Sequence, residues 1–129
     1  MENSTKLPEK FMEVIKHEGV VSVVSWGDNE PHVVNTWNSY IVVTEDQRIL
    51  IPIYGFRKTE KNVNVNDRIK ITLGSREVLG YKDYQGTGFL IEGTARFLKS
   101  GPEFDLMKDK FSFPNRVLEV TVLTAKQTL

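Results

Sequence analysis

PHVVNTWNSYIVV, residues 31–43, is the stretch on which the reading of this chain turns. Its ends, Val33-Val34 and Ile41-Val42-Val43, are β-branched and read as one strand. Its centre, Asn35-Thr36-Trp37-Asn38-Ser39, is polar with a single large aromatic. Alternation along a strand sends Thr36 and Asn38 to one face and Asn35, Trp37 and Ser39 to the other. A strand polar on both faces at its middle is not ordinary core. Buried amides and hydroxyls without partners cost about 1–3 kcal/mol each, so something polar meets them: backbone carbonyls, water, a barrel mouth or a ligand.

The 129 residues suit one domain spanning 1–129, long enough to bury a sizeable core. Seventeen basic and seventeen acidic side chains cancel without a charge run, so neither nucleic acid nor an anionic membrane is expected as a partner. The absence of cysteine excludes disulfides and a thiol nucleophile and fits a cytoplasmic location. The start, MENSTKLPEKF, carries charges where a signal peptide needs an apolar centre, and no apolar run reaches membrane-spanning length.

Working outward, Leu7, Phe11, Val14 and Ile15 share one helical face, which predicts a short helix from Pro8 to His17 with Gly19 just past its end. Glu18 then reads as a solvated charge at a helix end. Val20–Ser25 is a strand, and Gly27-Asp28-Asn29-Glu30 turns it into a hairpin with the 31–43 strand. After a second turn at 44–48, Ile49–Tyr54 is a strand whose Pro52 removes a ladder donor and marks an edge, a bulge or a bend. Gly55–Val63 begins with a glycine turn and a basic pair before a short helix. Lys58 and Thr59 at such a helix start favour an anion, although a solvated basic turn reads the same way. Arg68–Leu73 and Phe89–Leu98 alternate as strands around a glycine-rich loop, 78–88. Ser100 and Glu103 form a capping-box pattern for a helix ended by Pro114, and Val117–Leu123 is the last strand. The sum is a mainly β chain, about six antiparallel strands with two or three short helices, arranged as a small barrel or sandwich.

Familiar catalytic patterns are missing. His17 and His32 have no second ligand at metal spacing, and no G-x-S-x-G, GxGxxG or GxxxxGK[ST] motif occurs.

Four segments in order, VVNTWNSY (33–40), ILIPIYGFRKTEKNV (49–63), ITLGSRE (71–77) and GTGFLIEGTA (86–95), with a C-terminal Thr-Leu, resemble the FMN-binding split-barrel family. That family lies within the pyridoxamine 5′-phosphate oxidase-like superfamily, and the likeness runs from about Leu7 to Leu129. It implies a homodimer of six-stranded split barrels with FMN in a groove at the dimer interface. By the same resemblance Asn35, Thr36, Trp37 and Asn38 line the flavin, and Ile51, Pro52 and Ile53 give it an apolar wall. Lys58 and Thr59 hold the phosphate, with Ser75 and Arg76 near it. Gly86, Thr87, Gly88 and Leu129 approach from the other subunit. Glu18 gains a second reading, because the family places an acidic residue at the matching position near the cofactor, where it lowers the flavin potential. By the same resemblance, a tryptophan that one member of the family carries before the last strand is Phe113 here, so an indole N–H is lost. With no evident acid–base catalyst, the expectation is a small electron carrier exchanging electrons with an unknown redox partner. The rivals are a flavin-dependent oxidoreductase and a barrel without cofactor that serves as a binding module; an oligonucleotide-binding barrel is disfavoured by the neutral charge.

Overall fold

The computed structural model describes residues 7–129; the charged N-terminal stretch weighed against a signal peptide begins in 1–6, outside the described residues. The elements are α1 (Glu9–Val14), β1 (Val20–Gly27), β2 (Glu30–Trp37), β3 (Val42–Val43), β4 (Arg48–Ile53), α2 (Arg57–Val65), β5 (Arg68–Leu79), β6 (Gln85–Leu98), α3 (Pro102–Lys110) and β7 (Arg116–Gln127). The strands form one antiparallel sheet in the order β2-β1-β5-β6-β7-β4-β3. Strands β2 and β3 lie at its two edges and do not pair with each other, which is the split of a mainly β barrel.

The strand count is seven rather than six, because residues 31–43 do not form one strand. A 3-10 turn at Asn38–Tyr40 breaks it, and the two ends go to opposite edges of the sheet. The first end stays in the expected hairpin: Asp28 and Asn29 take positive φ of 44° and 71°, the backbone that a two-residue hairpin turn requires. The second end, Val42–Val43, pairs with Leu50 and Ile49. Since β3 covers only those two residues, Pro52 sits where the outer side of β4 is open, and a missing N–H breaks no ladder.

Three further expectations change. Gly86–Gly88 is not a loop but the start of β6, with Thr87 opposite Ser75 and Gly88 opposite Gly74. Ser100 does not cap α3; Gly101 occupies that position, and the Glu103 carboxylate accepts instead from Arg48. The last strand extends to Gln127, with a bulge opposite Glu92–Gly93.

The inward residues of the sheet, Val21, Val23, Ile49, Ile71, Ile91 and Val120, close around α1. Phe11 meets Phe89 edge-to-face at 5.6 Å between centroids. A smaller cluster of Leu50, Met107 and Val117 seats α3 on the outer face.

Candidate functional site

Asn38 is where the polar stretch meets the rest of the fold. Thr36 is buried, whereas Asn35 and Trp37 face outward, Trp37 with 46 % of its surface exposed. Asn35 accepts a hydrogen bond from Ser22 at 3.0 Å across the hairpin. Asn38 is fully buried. Its backbone N–H donates to Gly19 O at 2.9 Å. Its side-chain Nδ2 donates to His17 O at 2.8 Å, Gly74 O at 3.1 Å and, more weakly, Val14 O at 3.4 Å. Through its side chain and backbone, this one residue joins the end of α1, the start of β1 and the middle of β5. Gly19 has no side chain because a Cβ there would lie 2.6 Å from Gly74 O and 2.8 Å from the same Nδ2. The Asn38 Oδ1, by contrast, is buried without a hydrogen-bond partner.

Glu18 is exposed yet held. Its Oε2 accepts from Ser39 Oγ at 2.7 Å, and its Oε1 accepts from Ser39 N at 3.1 Å and Gly19 N at 3.2 Å. The Ser39 hydroxyl, then the Ser39 and Gly19 amides, keep its carboxyl below the usual carboxylate range despite some desolvation. It is a fixed charge beside the Asn38 turn, not a free helix-end group.

Beside Glu18 opens a hollow of about 570 Å³, bordered by Gly74, Ser75, Arg76, Gly86, Thr87 and Leu129. The Leu129 carbonyl accepts from Thr87 Oγ1 and Gln127 Nε2, both at 2.8 Å, while Thr128 N–H donates to Gly88 O at 2.8 Å. The C-terminus is therefore fastened along the rim.

The other expected residues lie apart from this hollow. Lys58 and Thr59 are in the first turn of α2, after Phe56, which takes a left-handed backbone (φ 59°). The helix packs on β1, where Asn62 Nδ2 donates to Ser25 Oγ at 3.1 Å. Lys58 borders a cleft of about 200 Å³ with Trp26, Asp28 and Lys61. Thr59 is fully buried, and its Oγ1 has no hydrogen-bond partner. The side chains of Ile51 and Ile53 lie in the core, and Pro52 is buried on the alternate face of β4. So one chain separates the Lys58-Thr59 turn, at the tip end of the β1–β2 hairpin, from Glu18, Ser75, Gly86, Thr87 and Leu129 around the hollow, while Asn35, Thr36 and Trp37 pair with Ser22, Val21 and Val20 at the end of β1 that follows Gly19. Asn38 touches the boundary through Gly19 and Gly74, which also line the hollow.

Two features went unread in the sequence. Arg116 begins β7 and is buried, with its guanidinium donating to Glu60 and Gly55. Tyr40, Phe111 and Phe113 form an aromatic group with centroids 5.2 to 6.0 Å apart. The first had no local signal; the second needs the chain to bring residues 40 and 113 together. Among the described residues no group of three or more His, Cys, Asp or Glu is placed to hold a metal, and no helix is long and apolar enough to cross a membrane.

Against known proteins, the family described as pyridoxamine 5′-phosphate oxidase matches residues 7–128. An FMN-binding protein of Nitratidesulfovibrio vulgaris (strain Miyazaki F) is 48% identical over 123 residues, covering 95% of this chain and 99% of that one. Among solved structures, Group A Streptococcus HupZ superposes with a TM-score of 0.77 at 17% identity, covering 94% of this chain and 93% of the other. An FMN-binding protein from Syntrophomonas wolfei superposes with a TM-score of 0.73 at 17% identity, covering 94% and 85%. These two likenesses carry the fold.

Proposed function

We propose that this chain, which belongs to the pyridoxamine 5′-phosphate oxidase family, binds FMN non-covalently and serves as a small electron carrier, with each site shared between two copies. The observation that carries the reading is the Thr59 hydroxyl: fully buried, without a partner, and next to Lys58 at the start of α2. A buried hydroxyl left alone is costly, and a phosphate oxygen accepts from it while Lys58 and the first-turn N–H groups meet the negative charge. The relative that is 48% identical, an FMN-binding protein, supports the same ligand.

On this reading Lys58 and Thr59 hold the phosphate. Asn35, Thr36 and Trp37 meet the ribityl chain and the ring, and Asn38 Oδ1 offers a buried acceptor to a ligand donor. Bound FMN supplies electron-transfer chemistry through its ring. The protein's part is to orient it, to exclude water with the exposed Trp37 ring, and to set the local field. Glu18, ionised and fixed by Ser39, disfavours added negative charge nearby.

The separation of the Lys58-Thr59 turn from the hollow within one chain supports a homodimer. Ser75, Gly86, Thr87, Gly88 and Leu129 of a second copy then complete the groove that the first copy's Lys58 side begins. The lack of a familiar catalytic motif in the sequence favours a carrier over an oxidoreductase.

The test sets steady-state turnover of FMN-loaded protein with reduced nicotinamide and candidate acceptors against one-electron exchange with a redox partner protein. Fast exchange with negligible turnover is expected of a carrier. Sustained turnover on a small substrate assigns the oxidoreductase reading instead.

A further inference from the structure

Arg116 is a buried cation at the start of β7, 2 % exposed, and every nitrogen of its guanidinium side chain is used. Nη1 lies 2.5 Å from Glu60 Oε1, Nη2 donates to Gly55 O at 2.5 Å, and Nε donates to Asn115 Oδ1 at 3.2 Å. Its plane also sits over Phe97, 5.6 Å from the ring centroid. Gly55 and Glu60 are the residues immediately before and after Phe56–Thr59. That tetrad contains the left-handed Phe56, which turns the chain into α2, and the Lys58-Thr59 pair. One guanidinium therefore fastens both ends of the turn to β7.

Stability alone gives little reason for this arrangement. A buried ion pair is often replaced by apolar residues without loss, because desolvation offsets much of the attraction. Glu60 has other cations near it, Arg57 at 3.6 Å and Lys99 at 4.0 Å. What Arg116 alone supplies is the second bond, to the Gly55 carbonyl, in a planar fork that fixes a direction. We infer that Arg116 is a positioning residue for the anion site of α2, holding the Phe56–Thr59 turn in the geometry that receives a phosphate. This rests on the reading in which Lys58 and Thr59 bind the FMN phosphate.

The test compares FMN with riboflavin, which lacks the phosphate, by flavin-fluorescence titration of the full chain. The proteins are wild type, Arg116→Lys, Arg116→Met and Lys58→Ala, each with ligand-free urea denaturation alongside. Arg116→Lys keeps the charge but not the fork, so it carries the test should Arg116→Met fail to fold. FMN affinity is expected to fall by about tenfold or more in the Arg116 variants while riboflavin affinity stays within about twofold. An undiminished preference for FMN in Arg116→Lys, with lowered stability, makes the residue purely structural and overturns the inference. A wild type that binds both ligands equally, unchanged by Lys58→Ala, overturns the phosphate reading and the inference with it.

Discussion

The Asn38 amide donates to the Gly74 carbonyl at 3.1 Å, tying the point where β2 breaks to the middle of β5. The same nitrogen serves His17 O and Val14 O, so the group is a donor to three surrounding oxygens. Asn38→Asp keeps the shape and replaces that donor by a carboxylate oxygen. The expected cost is at least about 2 kcal/mol, since buried carbonyls lose their partner and face like partial charge. A urea midpoint unchanged from wild type would contradict this role.

Ser39 holds the Glu18 carboxyl below the usual range, which fixes the sign of a pH effect. A carboxyl whose folded pKa lies below its unfolded value contributes stability that is complete above the unfolded value. That contribution is lost as pH falls through the lower one. The Glu18–Ser39 contribution is therefore present at neutral pH and fades in acid. Ser39→Ala should bring the Glu18 titration up toward the ordinary carboxyl range, read from side-chain carboxyl NMR shifts. An unmoved titration would show that the hydroxyl is not the main cause.

Lys58→Ala should weaken FMN by about ten- to hundredfold, the size of one lost charge-assisted hydrogen bond. Riboflavin should bind mutant and wild type nearly equally. A similar loss for both ligands places Lys58 away from the phosphate.

Deleting Leu129 removes the carbonyl to which Thr87 Oγ1 and Gln127 Nε2 donate, and leaves the Thr87 hydroxyl without its acceptor on the rim of the hollow. A several-fold change in FMN affinity, or a shift in flavin midpoint potential, is expected. Neither change occurring removes the C-terminus from the site.

What the sequence made legible follows from the range of the forces involved. The Gly27–Glu30 hairpin was readable because turn backbone is a local preference of Asp28 and Asn29. Pro52 announced an edge, a bulge or a bend for the same reason, and β4 has no partner on its outer side there. Residues 31–43 misled because the break at Asn38 depends on carbonyls far along the chain, at Gly19 and Gly74, which no local pattern encodes. Gly86–Gly88 looked like a loop by composition, yet its pairing with Gly74 and Ser75 holds it in β6. Ser100 had the right neighbours for a cap, but Glu103 found Arg48 across the fold. At the candidate site, the polar residue types were readable. Their division between two regions of one chain was not, and neither was the buried Arg116.

The unpartnered hydroxyl of Thr59 and acceptor of Asn38 are the groups to which a flavin nucleotide is expected to bind. Titrating the purified chain with FMN while recording the visible absorption spectrum, followed by gel filtration, addresses this directly. Shifted flavin bands that saturate at one FMN per chain are expected, with the colour eluting at the mass of a dimer. A spectrum that remains that of free FMN, with colourless protein leaving the column, would contradict it.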